Sequence, residues 1–446
     1  MKVVIIGNGI SGITAARTLR KYSDCEIHVI SSESKYFFSR TALMYIYMGH
    51  MRFQDTKPYE DFFWEKNNIN LIHDHVTSID FNNNLLFMKL RKSCPYDKLI
   101  LALGSKPNKF GWPGQDLKGV GGLYHFQDLE QMEAYSPGLQ RAVIVGGGLI
   151  GIEMAEMFNS RKIPVTLLVR EKNYWDNVLP KEEAKLISQH IKDHHIDLRL
   201  GVNLDRIVDD GKGNVCKVVV KETQEEISCG YVGLTAGVRP NVEWLEHTDL
   251  HINRGILVDE YLQSNIRDVY AIGDCAQLSD PPQGRRAIEA VWYTGRMMGE
   301  TVAHNILGAS KKYDPGIWFN SAKFLDIEYQ VYGDIPPSLP DDTGTIYWES
   351  DDHTKSIRIN YDKSTQCVLG FNLLGIRFRH EVCEQWIRDK TGIIEVLSNI
   401  SLAFFDPEFY SSYSESLIQK ANAELYTQIS PPEKKSWDKV FTFLSR

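Results

Sequence analysis

Gly7-Asn8-Gly9-Ile10-Ser11-Gly12 follows an apolar run, Val3-Val4-Ile5-Ile6, and precedes a helical pattern from Ile13 to Lys21. Glycines at this spacing suit a ligand that carries a pyrophosphate. The first makes a tight turn, the second lets the phosphates approach the backbone, and the third lets helix pack on strand. The helix then presents its first N–H groups and its dipole to the phosphates. A second strand-like run, Glu26-Ile27-His28-Val29-Ile30, leads to Glu33, whose carboxylate could accept ribose hydroxyls. One such pattern alone is a weak signal, but this chain has two. Ala142-Val143-Ile144-Val145 leads into Gly146-Gly147-Gly148-Leu149-Ile150-Gly151, a helix from Ile152 to about Ser160, and the strand Val165-Thr166-Leu167-Leu168-Val169. Glycines 7, 9 and 12 map onto 146, 148 and 151 at one constant offset, and Ala16 maps onto Ala155. Two bound dinucleotides are expected, for which the usual pair is a flavin and a nicotinamide.

Further strands must position these loops. Tyr96 to Ser105 reads as a strand ending in small residues, after which Lys106-Pro107 and Trp112-Pro113-Gly114 punctuate a linker. Tyr231 to Thr235 is another strand, closed by Ala236-Gly237-Val238-Arg239-Pro240-Asn241, and Val269-Tyr270-Ala271-Ile272 runs into Gly273-Asp274. At 446 residues the chain is too long for one core and suggests two or three domains. A formal net charge of −8, with no Lys/Arg block, gives no footprint for nucleic acid. No apolar run reaches the roughly 18–20 residues a transmembrane segment needs. The first strand flows straight into a glycine motif, unlike a secretory signal, which favours the cytoplasm. The seven cysteines are scattered, with no Cys-x-x-Cys, and fit reduced thiols. His28, His50 and His125 lack metal-ligand spacing and read as structural, so no metal is expected.

Together these motifs resemble the two-dinucleotide flavoproteins of the pyridine nucleotide–disulfide oxidoreductase superfamily over roughly residues 1–310. Ala102-Leu103-Gly104-Ser105 stands where the family has its A-T-G segment. Thr235 to Asn241 is similar to its G-x-R-P-N segment, with Gly237 at the glycine. Asp268 to Asp274 is similar to the second flavin motif, whose aspartate, here Asp274 after Gly273, hydrogen-bonds the ribityl chain. The resemblance implies an α/β fold with two Rossmann-like, three-layer dinucleotide-binding domains, one inserted in the other, plus a C-terminal α+β domain. The FAD domain would be split over 1–112 and 241–310, with the NAD(P) domain at 113–240 and an interface domain with a helical extension at 311–446.

The resemblance also sorts the branches. Disulfide reductases carry a Cys-x-x-x-x-Cys after the second strand, and coenzyme A disulfide reductases and NADH peroxidases a single cysteine there. Here Ser34 to Glu60 contains no cysteine, and Thr41 falls near that place. A hydroxyl cannot serve as a redox-active sulfur. The chain therefore looks like the non-thiol branch: rubredoxin and ferredoxin reductases, the NADH-binding part of nitrite reductase, and apoptosis-inducing factor. Phe37-Phe38-Ser39-Arg40 echoes their aromatic-x-x-Arg segment, and Arg40 could neutralise FAD phosphate. Their lysine five residues later is replaced by Tyr45, while the glutamate it pairs with is present as Glu153. Trp292 lies where relatives approach the flavin ring.

The implied activity is FAD-dependent oxidation of NADH, or of NADPH, with electrons passed to an unidentified acceptor, expected to be a small redox protein. Glu171 could take the adenosine ribose hydroxyls and favours NADH, while Arg170 could accept a 2′-phosphate and favour NADPH; NADH is the narrow preference. A type II NADH:quinone dehydrogenase, and a flavin-bound interaction or redox-sensing protein with little turnover, stay open, as does a homo-oligomer. Beyond residue 310, strands are expected at Gln330–Tyr332, Gly344–Trp348, Ser356–Ile359 and Cys367–Phe371, and helices from His380 to Leu397 and Ser414 to Ile429. The aromatic stretch Phe404 to Tyr410 reads as packing, with a membrane-surface or partner contact as the alternative.

Overall fold

Apolar runs rich in β-branched residues form the centres of two parallel sheets, because strands covered on both faces need apolar side chains on both. The structure, a computed structural model, describes residues 1–405 and 413–430. The chain divides into two units, one of Met1–Tyr174 with Lys192–Gly316, the other of Trp175–Ile191 with the chain from Ile317 onward. In the first unit one five-stranded sheet runs Val269–Ala271, Lys98–Leu101, Lys2–Ile6, Glu26–Ser31, Ile69–His73, all parallel. The other runs Asp197–Leu200, Val165–Val169, Ala142–Val145, Tyr231–Leu234, Val120–Gly121, again all parallel. In each, the glycine-bearing strand lies between the strand that follows it and a strand from much later in the chain. Strand order reverses there, and the crevice this leaves at the carboxyl ends is where such sheets bind ligands.

Both fingerprint helices begin earlier than their apolar periodicity suggests, at Ile10–Tyr22 and Leu149–Ser160, with Gly9 and Gly148 as their N-caps. The last glycine of each motif belongs to the first helical turn. The expected linker is in part a strand: Ser105–Pro107 pairs antiparallel with Val238–Pro240. Helix Trp292–Ile306 packs closely on Ile10–Tyr22, since a Cβ at Gly295 would lie 2.6 Å from Ser11 Oγ and one at Gly299 2.5 Å from Ser11 O.

The second unit is built on an antiparallel sheet in the order Phe319–Phe324, Ile327–Gly333, Val368–Leu374, Ser356–Asp362, Thr343–Glu349, which contains the four expected strands. Ile357 and Ile359 face a core with Ile346, Phe371 and Leu373, closed by the C-terminal helices. Ser356, Arg358 and Asn360 alternate with them and point the other way. There Arg358 donates Nε to Glu183 Oε1 (2.6 Å) and Nη2 to Glu183 Oε2 (2.8 Å), which fastens the first turn of helix Lys181–Asp193 to the sheet. The single helix expected from His380 to Leu397 is two, His380–Arg388 and Ile393–Ser398. The chain turns at Lys390, with φ +52°, and restarts at Gly392. Ser414–Leu425 stops at Tyr426, in the left-handed region. Phe404 is buried and packs edge-on against Phe378 at 5.0 Å, as expected of a packing aromatic, while Phe405 is exposed; 406–410 lie outside the described residues. Among the described residues no helix is long and apolar enough to cross a membrane.

Candidate functional site

A cleft of about 580 Å³ opens over the first glycine loop, at the carboxyl ends of its sheet. The backbone there is fixed by close approach. Gly7 has φ +111°, and a Cβ on it would collide with the carbonyl oxygen of Ala102; one on Gly12 would collide with the carbonyl of Gly7. Gly9 differs: nothing lies within 4 Å of where its Cβ would be. The loop is thus closed on its protein side and open where phosphates would sit, as a dinucleotide cradle requires. The second loop repeats the pattern. Gly146, with φ +130°, is backed by Thr235 O, Gly151 by Gly146 O, and Gly148 again faces open space.

Of the residues expected to bind the first dinucleotide, Gly7, Gly9, Gly12, Glu33, Arg40, Ala102, Gly104, Asp274 and Trp292 line the cleft, and Glu153 reaches it from the second fingerprint helix. Gly273 lies just behind, where a Cβ would strike Ser11 Oγ. Tyr45 is on the short helix Leu43–Tyr47, stacked on His50 at 6.0 Å between ring centroids. The cleft lining takes Leu43 and Met44 from that helix but not Tyr45. Gly237 lies in the return segment, its carbonyl accepting Asn108 N–H at 3.0 Å. Thr41 lines the cleft, within 3.1 Å of Ser39 Oγ, and no cysteine is among the lining residues.

The charged groups of the cleft are tied to each other. Arg40 grips Glu33 with two hydrogen bonds, Nη1 to Oε1 at 2.9 Å and Nη2 to Oε2 at 2.6 Å, and Phe126 N–H donates to Oε1 at 2.9 Å. Burial works to raise the pKa of Glu33, but the adjacent His125, the hydrogen bonds and charge of Arg40 and the Phe126 amide outweigh it and bring it to about 2. For Asp274 burial wins and raises the pKa, against Ser105, Tyr124 and the Arg40 charge. In the second loop the Glu171 carboxylate lies 3.6 Å from where a Cβ on Gly147 would be and accepts Arg170 Nε at 2.7 Å. Tyr174, fully buried, props this loop by donating to Gly148 O.

Of two further groups in this wall, one escaped the sequence analysis and the other, His125, reads there as structural. Tyr124 and His125 come from the segment that joins the two halves, which has no glycine signature and no periodicity to mark it. Tyr124 touches both Arg40 and Asp274, and His125 Nδ1 is 3.7 Å from Glu33 Oε1.

Residues 1–302 match the family model for pyridine nucleotide-disulphide oxidoreductases. The NADH oxidase of Methanocaldococcus jannaschii is 29% identical over 339 residues, which are 74% of this chain and 75% of that protein. The NADH-rubredoxin oxidoreductase of Clostridium acetobutylicum is 27% identical over 340 residues, 76% of this chain and 83% of that protein. The structure of an NAD-dependent persulfide reductase from A. fulgidus aligns with a TM-score of 0.82 at 25% identity, covering 95% of this chain and 83% of that one.

Proposed function

We propose, from the premise that this chain belongs to the pyridine nucleotide–disulphide oxidoreductase family, that its first cleft holds FAD, its second loop presents NADH, and its electrons leave to a small redox protein. As a member of that family the chain is an NAD(P)H-dependent oxidoreductase with FAD and NADH as cofactors. The observation that carries the assignment of the two sites is the pair of loops whose middle glycines, Gly9 and Gly148, face open space while the flanking glycines are backed by carbonyls. In this reading residues 1–112 and 241–310 bind FAD, 113–240 bind NAD(P)H, and 311–446 form the interface domain.

Bound FAD would accept a hydride from NADH and could release its electrons singly, which suits a one-electron protein acceptor. The chain's own residues bind and orient. Gly7, Gly9 and Gly12 admit the pyrophosphate to the helix N-terminus. Arg40, held by Glu33, sets a fixed positive charge in the cleft wall. Glu153, carried on the helix that opens at the second loop, brings a carboxylate into the first cleft, and so lies between the two sites. Trp292, at the start of its helix and 38% exposed, borders the cleft mouth. Thr41 and a lining without cysteine argue against a thiol relay. The rubredoxin-reducing relative supports a protein acceptor. Seven free cysteines support residence in the cytoplasm.

The visible spectrum of the purified protein, followed anaerobically during separate NADH and NADPH additions, tests this reading. A flavin spectrum bleached rapidly by NADH is the expected result. A protein that cannot be reconstituted with FAD, or a flavin that neither nucleotide reduces, would overturn it.

A further inference from the structure

Asp274 follows the strand Val269–Ala271 into the cleft, and both side-chain donors that reach it go to the same oxygen. Ser105 Oγ donates to Oδ2 at 3.0 Å and the Tyr124 hydroxyl donates to Oδ2 at 3.3 Å. We propose that Ser105 and Tyr124 are positioning residues, a clamp that fixes the Asp274 carboxylate and aims its other oxygen, Oδ1, at the cofactor. The inference rests on the reading that FAD occupies this cleft.

A phenol has one proton to give. The Tyr124 hydroxyl accepts Ser105 N–H at 2.8 Å, so its acceptor side is engaged and its proton points to Asp274. The ring cannot swing away. Tyr124 N–H is held by Asp128 Oδ2 at 2.8 Å, its carbonyl accepts Arg40 Nη1, and the Arg40 guanidinium lies 4.6 Å from the ring centroid. Arg40 is in turn locked by Glu33. Gly104 makes room for the clamp, since a Cβ there would lie 3.0 Å from the Tyr124 hydroxyl. Ser105 is 2% exposed and works from behind the wall, whereas Gly104, Tyr124 and Asp274 face the cleft. Turning the carboxylate would break both hydrogen bonds at once. Oδ1 is therefore presented in one orientation before any ligand arrives, which lowers the ordering cost of binding.

A double-mutant cycle in the full-length protein tests the clamp. Wild type, Y124F, S105A, D274A, and Y124F and S105A each combined with D274A would be stripped of flavin and titrated with FAD, with quenching of FAD fluorescence as the readout. Y124F and S105A should each weaken FAD about tenfold, the scale of one hydrogen bond to a charged acceptor. In the D274A background each should cost less than about twofold, because a clamp with nothing to hold has no effect. Unchanged FAD affinity in both single variants, or the same loss with and without Asp274, would overturn the proposal. S105A keeps the ring in place and decides the matter if Y124F does not fold. Failure of the wild type to bind FAD would instead sink the reading of the cleft itself.

Discussion

At the first loop Gly7 N–H donates to Ile30 O at 2.8 Å, Ala102 N–H to Ile6 O at 2.9 Å and Ile13 N–H to Gly9 O at 3.0 Å. At the second, Gly146 N–H donates to Leu168 O at 3.0 Å, Thr235 N–H to Val145 O at 2.9 Å and Ile152 N–H to Gly148 O at 3.3 Å. The backbone is nearly the same loop built twice. The side chains around it are not. The first loop's acid, Glu33, is held by Arg40 and the Phe126 amide inside a wall that also contains Tyr124, Ser105 and Asp274. The second loop's acid, Glu171, is paired with its sequence neighbour Arg170, whose side chain is 73% exposed. A backbone motif makes a pyrophosphate site; the side chains decide how firmly the rest of the ligand is held. On the reading above, the first loop suits a cofactor retained through turnover and the second a coenzyme that exchanges.

Filling one loop and then the other gives the largest contrast. G12V and G151V each force a branched side chain against a loop carbonyl five residues back, Gly7 O or Gly146 O. Overpacking of about 3 kcal/mol corresponds to a loss of roughly 100-fold or more. G12V should purify without a flavin spectrum. G151V should stay yellow and bleach with NADH at least about 100-fold more slowly at equal coenzyme concentration. Stopped-flow absorbance separates the two, and a G12V protein that keeps its flavin breaks the assignment of the loops.

The acids should differ next. The pKa of Glu33 falls from an ordinary 4.5 to about 2 in the folded protein. Its contribution to stability is therefore fully present above pH 4.5 and disappears as the pH falls toward 2, a window worth roughly 3 kcal/mol for a side chain so little exposed. E33Q should lose a similar amount at neutral pH, read from urea unfolding, and should flatten that acid limb. E171Q should leave the neutral-pH stability nearly unchanged, because a pair whose arginine is 73% exposed contributes roughly 0–1 kcal/mol. Equal losses in the two variants would erase the distinction drawn between the loops.

How much of this was legible in the sequence follows the same division. Glycine spacing and apolar runs specify backbone, so both loops, Glu33 and the parallel strands could be read from residues alone, whereas Asp274 stood out only through the family resemblance. The Glu33–Arg40 pair could not, since both were expected to contact cofactor and neither spacing nor composition says that they contact each other. Tyr124 was hidden because its role depends on a strand far along the chain, at Val269–Ala271, and on Gly104 leaving room for its hydroxyl. The break between Arg388 and Ile393 was missed because apolar periodicity continues across Lys390 and Gly392 while the backbone does not.

Coenzyme choice is a smaller effect at the second loop alone. The side chain of Glu171 is 19% exposed and lies over Gly147, whereas Arg170 points outward. NADH should therefore be preferred. E171Q should narrow that preference by about five- to tenfold in kcat/KM, the scale of one or two hydrogen bonds to ribose. R170A should raise the KM for NADPH more than that for NADH. A reversed order in R170A would show that the outward arginine does not recognise the 2′-phosphate.

The smallest expected effect is none at all. Each sheet has a buried cysteine beside one of its strands, Cys275 after Val269–Ala271 at the loop end and Cys229 before Tyr231–Leu234 at the opposite end. Burial pushes both thiols up to about 12. At neutral pH both are protonated, and a protonated thiol is neither a nucleophile nor a ready redox partner. Cys275 Sγ also lies 3.3 Å from both Leu101 O and Ile272 O, which hold its proton inside the sheet. Cys216 and Cys367, the least buried, are outside the lining of the cleft. Iodoacetamide at neutral pH should therefore leave NADH oxidation unchanged while labelling those two, as mass spectrometry would show. Loss of activity that NADH protects against would place a reactive sulfur at one of the two loops, and the non-thiol assignment, which depends on Thr41 standing where a cysteine would be, would have to be abandoned.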